Sequence, residues 1–225
     1  MTSLLHAIAA IKQNSQITGN VFVNGNLMQG LDIRQILGFI FEDDVICPTM
    51  TVKEAITMSS QLRMPNRTAE QHTKAIDQVI QAFGLTAVEN TMIRYLKSSN
   101  GERKRCAIAI EVVTQQRILF LDRCTSGLDI CSAVTLIRML KELAKTGFTV
   151  VTTIRQPNSH IFHMFDEFLL MADGNIIFQG TPKTSLTYFS NLGFQCPKDS
   201  NPADYYLSTI INPDLSRCIR ALKGF

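Results

Sequence analysis

Asp122 closes the apolar run RILFLD at 117–122, and the turn after it, RCTSGLD, carries Ser126, Gly127 and Asp129. An apolar strand that delivers a carboxylate at its carboxyl end is how nucleotide-binding α/β sheets offer an oxygen ligand to magnesium. Taken alone, such an aspartate is equally a polar residue closing a core strand. A second segment, SSNGERKR at 98–105, precedes it at the start of a helix-period stretch. Ser99, Asn100 and Gly101 sit where the free N–H groups of a helix start would point, and such groups hold phosphate oxygens. A plain capping turn is the competing reading for this segment too, but the two segments together favour phosphate and metal chemistry. Arg103, Lys104 and Arg105 continue as a basic helical face and read as solvated.

Other candidate groups carry less. The cysteines at 47, 106, 124, 131, 196 and 218 form no CxxC pair and have no histidine at zinc-site spacing, so they read as reduced thiols of a cytosolic compartment. His160 and His163 read as structural, and the scattered methionines as core filler.

The elements that must position these residues follow from periodicity. Short apolar runs alternate with helical-period segments, the mark of an α/β domain with a parallel sheet. Helices are expected at 3–12, 51–62, 69–83, 101–113 and 132–145, and from Lys183 to a cap at Gly193. Strands are expected at 19–25, 35–41, 117–122 and 148–154. Thr51 with Glu54 makes a capping-box start, and Ala75, Ile76, Val79, Ile80 and Phe83 form one apolar stripe. The helices at 51–62 and 69–83 make a lobe inserted between core strands, extending to about residue 105, and 167–180 reads as a strand pair around Asp173-Gly174.

With 225 residues, 22 Lys+Arg against 19 Asp+Glu and 45% hydrophobic residues, the composition excludes disordered, coiled-coil and collagen-like classes. A net charge of +3 without a basic patch gives no electrostatic case for a nucleic-acid partner. No long apolar window or signal peptide is apparent, so the chain is not expected to span a membrane by itself. One domain over 1–225 is expected.

Over nearly its whole length the chain resembles the nucleotide-binding domain of ATP-binding cassette (ABC) transporters, specifically the white-type half-transporters of subfamily G. LDRCTSGLD is similar to that family's LDEPTSGLD, SSNGERKR to SGGERKR, and FEDDVICPTMTVKEAI to its QDDxLxPxLTVxE segment. TTIRQPNSHIFHMFDEFLLMADGNIIFQG and NLGFQCPKDSNPADYYL resemble segments specific to the subfamily, the latter leading toward a transmembrane part, with a linker expected at about 205–225. The resemblance implies ATP and Mg2+ as cofactors, and a head-to-tail partnership with a second nucleotide-binding domain. It also implies a transmembrane domain on another chain or lost from this one, and a place on the cytoplasmic side of a membrane. The transported class it implies is lipids, sterols or hydrophobic compounds.

By the same resemblance TSLLHAIAA matches the helix after the Gly-rich GxxxxGK[ST] loop, which puts Met1 at the lysine's place, with that loop and the strand before it absent. Thr2 and Ser3 then begin the phosphate-side helix, and Thr2, Glu42 and Asp122 are the expected magnesium ligands. Glu42 stands at the family's glutamine, and Ser99, Asn100, Gly101, Glu102, Ser126, Gly127 and Asp129 complete the nucleotide contacts. Arg123 replaces the glutamate that handles the attacking water, and Arg155 replaces the switch histidine; a guanidinium keeps its proton, so neither is a base. Asn100 replaces a signature glycine and suits a positive φ if one is needed there. The expected function is an ABC transporter cassette with impaired ATP binding and hydrolysis; a non-transporter regulatory module and a non-functional fragment remain alternatives. The missing strand is expected beside ILFLD, leaving Ile118–Asp122 as an open apolar edge prone to association.

Overall fold

The structure, a computed structural model, describes residues 2–11, 17–28, 30–96, 100–172 and 174–211. It divides into two compact units, Met1–Arg155 and Gln156–Phe225.

The first unit is built on a three-stranded parallel sheet, β3 (Leu37–Ile40), β4 (Ile118–Leu121) and β5 (Thr149–Thr152), in that spatial order. The register pairs Leu37 with Ile118 and Ile118 with Thr149. Gly38 permits the close β3–β4 approach, since a Cβ there would stand 2.8 Å from the Leu119 side chain. α1 (Thr2–Ile8), the turn residue Ala9 after it and α2 (Gly30–Ile36) supply Leu5, Ala9 and Ile33 to a core cluster with Leu37 and Phe120. Gln35 and Ile36, expected in a strand, close α2, whose Ile33 is drawn into this cluster.

The expected open edge at Ile118–Asp122 is not found. β4 is the central strand: the Asp122 N–H donates to the Ile40 carbonyl at 2.8 Å and the Thr153 N–H to the Leu121 carbonyl at 3.0 Å. Its ILFL run is apolar throughout, as a strand covered on both faces must be, whereas TVVT in β5, one of the two edge strands among the described residues, alternates between exposed and half-buried positions.

Between β3 and β4 the chain runs mainly through helices. α3 (Val52–Arg63) and α4 (Ala69–Ala82) both start on capping boxes, Thr51 with Glu54 and Thr68 with Gln71. A buried Ser60–His72 hydrogen bond of 2.8 Å ties them together. α5 (Asn100–Val112) packs Cys106, Ile108 and Ala109 into the unit's interior, and α6 (Ile130–Lys145) follows β4. A small antiparallel hairpin, β1 (Val21–Val23) and β2 (Asn26–Met28), turns on Asn24 and Gly25, both at positive φ. Asn-Gly supplies the left-handed pair such two-residue turns require.

The second unit has an antiparallel pair, β6 (Phe168–Ala172) and β7 (Asn175–Gly180), with a register shift at Leu170/Met171. α7 (Ser159–Phe162), α8 (Pro182–Asn191) and α9 (Pro202–Ile211) complete it. Phe162, Phe178, Phe189 and Tyr206 form an aromatic core in which Phe189 and Tyr206 stack at 4.1 Å. Among the described residues no helix is long and apolar enough to cross a membrane.

Candidate nucleotide site at the strand ends

The carboxyl ends of β3, β4 and β5 bring Phe41–Glu42, Asp122–Arg123 and Thr153 together. Asp122 is 4% exposed. Its Oδ1 accepts from Thr2 Oγ1 at 3.0 Å and from Thr153 Oγ1 at 2.6 Å, so the first turn of α1 and the end of β5 both hold it. Thr153 also accepts from the Arg123 N–H at 2.8 Å, which fixes the backbone where the strand ends and Arg123 turns to a φ of 46°. Nothing in the spacing of the sequence singles out Thr153, because the hydrogen bond spans 31 positions. Asp122 Oδ2 faces His6 Nε2 at 3.8 Å, and His6 sits edge-on to Phe39 and Phe41.

Glu42 lies just beyond β3. Its Oε2 accepts from Arg123 Nη1 at 2.9 Å and its Oε1 from Ser126 Oγ at 3.1 Å. The two residues that depart most from the expected chemistry therefore meet as an ion pair, with Arg123 42% and Glu42 35% exposed. Ser3 and Arg155 are exposed.

Lys104 corrects the reading of a solvated basic face. Its side chain is 4% exposed, and its ammonium donates to the carbonyls of Phe41 and Glu42 and, at 2.6 Å, to Asp44 Oδ1. Three donors meet three oxygens, which is what allows an ammonium to be buried. Arg103 Nε adds a 3.9 Å contact to Asp44 Oδ2.

Ser99 lies outside the described residues. Asn100 does not take a positive φ: it opens α5, and its Nδ2 donates to the Gly127 carbonyl at 2.9 Å. Gly101 faces Ser132 closely, where a Cβ would stand 3.3 Å from its side chain. Glu102 lies in the first turn of α5. Gly127, at φ 70°, makes the turn in TSGLD, and Asp129 caps α6 by accepting from the Ser132 N–H at 3.0 Å. Hydrogen bonds from the Ser132 side chain and backbone hold the Asp129 carboxyl below its usual range.

Cys106 and Cys124 are pushed up to about 12 and about 11 by burial, so both stay thiols, while hydrogen bonds from Thr49 lower Cys47.

Among the described residues no group of three or more His, Cys, Asp or Glu side chains could cage a metal. The Thr2 hydroxyl and Asp122 carboxylate are adjacent hard oxygen donors, and these suit magnesium completed by phosphate and water oxygens. Glu42, the expected third ligand, has its two oxygens hydrogen-bonded by Arg123 and Ser126.

Family comparison matches residues 1–126 to the ABC transporter family and residues 155–217 to the ABC-2 type transporter family. The chain is 37% identical over 222 residues to the broad substrate specificity ATP-binding cassette transporter ABCG2 of Bos taurus, covering 97% of this chain and 34% of that protein. It is 37% identical over 217 residues to Protein white of Drosophila melanogaster, covering 93% of this chain and 32% of that protein. ABC transporter G family member 14 of Arabidopsis thaliana is likewise 37% identical over 222 residues, covering 96% of this chain and 34% of the relative. The chain thus spans about a third of the length of the curated relatives it matches.

Proposed function

Because the chain belongs to the ABC transporter family, in its subfamily G, we propose that it is the ATP-binding cassette of a half-transporter whose own catalytic site is impaired. It works in a pair with a second cassette and with a transmembrane domain, on the cytoplasmic side of a membrane, in the export of lipids, sterols or other hydrophobic compounds. Its Ser99, Asn100, Gly101 and Glu102 serve the nucleotide held by the partner cassette, and Thr2, Ser3, Ser126, Gly127 and Asp129 line its own weak site.

The observation that carries this reading is the Arg123–Glu42 ion pair beside Asp122. Thr2 and Asp122 would hold magnesium, which when bound supplies charge to the phosphates. Thr153 orients Asp122 and pins the turn after it. Attack on a phosphate also needs a group to orient or deprotonate water, and the guanidinium of Arg123, next to Asp122, offers only N–H donors and no acceptor for that proton. Arg155 has no acceptor nitrogen to relay a hydrogen bond from that water.

The test is phosphate release from this chain mixed with a competent cassette of the same subfamily. Turnover is expected to be unchanged by Asp122→Asn in this chain and lowered by Asn100→Asp, which sets a carboxylate at the helix start facing the partner's nucleotide. Loss of turnover with Asp122→Asn, or none with Asn100→Asp, overturns the assignment.

A further inference from the structure

Arg123 and Glu42 close on each other at the same strand ends that hold Asp122, and the pair is built to open. Both side chains are more than a third exposed, so the contact is weak and exchangeable. The backbone beneath Arg123 is not: its N–H is held by Thr153, which also donates to Asp122. One guanidinium nitrogen meets Glu42, and a guanidinium engages phosphate through two parallel hydrogen bonds, a stronger contact than a single one to a half-exposed carboxylate. Glu42 loses little on release, because Ser126 Oγ still donates to it at 3.1 Å.

We propose that Arg123 is a phosphate-binding residue held in reserve by Glu42. A nucleoside triphosphate displaces Glu42 from the guanidinium, and Arg123 then supplies in the same chain much of the positive charge that a divalent cation otherwise brings to the terminal phosphates. This site therefore takes ATP with little dependence on magnesium. The inference rests on the cassette reading, and concerns binding alone.

The experiment is a titration of the full chain with ATP, followed by broadening of the phosphate resonances, in magnesium and in excess chelator, with AMP as the probe lacking terminal phosphates. Replacing magnesium by chelator is expected to weaken ATP binding less than about threefold, a fraction of the tenfold step that one strong charge-assisted contact represents. In chelator Arg123→Gln loses about tenfold toward ATP and nothing toward AMP, as expected for one charge-assisted contact. Glu42→Gln gains several-fold toward metal-free ATP, and a gain cannot come from misfolding. Equal metal-free ATP affinity in wild type and Arg123→Gln overturns the proposal, as does no gain in Glu42→Gln or no ATP binding by wild type up to about 10 mM, tenfold above millimolar affinity. That last result leaves the cassette reading standing, whereas hydrolysis lost in Asp122→Asn overturns that reading's impaired site and leaves this proposal intact.

Discussion

Two residues apart on the segment leaving β3, Glu42 and Asp44 each take a cation, and the two pairs differ in what surrounds them. Lys104–Asp44 is sealed, at 4% and 9% side-chain exposure, and its ammonium also satisfies two carbonyls of the same segment. Arg123–Glu42 is open to solvent at 42% and 35%. The sealed pair ties α5 to the end of β3 and sets where Glu42 stands, through its carbonyl. The open pair uses that fixed frame to hold an exchangeable contact. Charge next to the candidate site is thus split between an anchor and a movable part.

Breaking the anchor should have the largest effect. Lys104→Met leaves buried Asp44 with only the longer 3.9 Å contact to Arg103, and removing one member of a buried pair costs about 3–5 kcal/mol. A fall of roughly 10 °C in the melting temperature is expected for a protein of this size. Adding Asp44→Leu should recover most of it; no recovery would mean that Lys104 acts through the carbonyls alone.

Next in size is Thr153→Val, which strips Asp122 of a donor and leaves the Arg123 N–H without its acceptor. About 1–3 kcal/mol is expected from urea denaturation, the cost of an unpaired buried group. Equal stability would show that the turn at Arg123 is held by other contacts.

Opening the exchangeable pair should matter least to folding. Arg123→Gln is expected to shift stability by less than about 1 kcal/mol, as for other half-exposed ion pairs. A loss as large as that of Lys104→Met would erase the distinction between the two pairs.

A fourth outcome concerns acid. The Asp129 carboxyl is held low by hydrogen bonds from Ser132, so its contribution is present above the unfolded carboxylate range, near 3.9, and fades as pH falls through the lower folded value. Asn also caps helices, so Asp129→Asn should keep neutral-pH stability and flatten the acid limb of a melting-temperature profile. An unchanged acid limb would remove Asp129 from the pH response.

Much of the frame around these pairs is legible in the sequence. ILFLD announces a buried strand ending in a carboxylate, and Thr51 with Glu54 writes its capping box within three positions, because both signals are local. The turn at Asn24-Gly25 is legible too, whereas the strand that follows it, β2, and the Asn201-Pro202 start of α9 are too short a signal for periodicity. The ion pairs are different. Glu42 meets Arg123 across 81 positions because β3 and β4 are parallel neighbours, and Lys104 meets Asp44 across 60 because α5 packs against β3. A basic face on a helix looks the same in sequence whether water or the end of a strand covers it, which is why Lys104 reads as solvated. The edge assignment fails for a related reason: a strand's neighbours are a property of the sheet, not of its own residues.

The central claim is that a site with Asp122 in place but Arg123 beside it does not turn over ATP. Its most direct test is phosphate release from labelled ATP and magnesium by the purified chain, wild type against Asp122→Asn. Loss of a positioned base lowers rates by about 100- to 10,000-fold, so the two proteins are expected to give the same background rate. Magnesium-dependent release by wild type that disappears in Asp122→Asn would contradict the account.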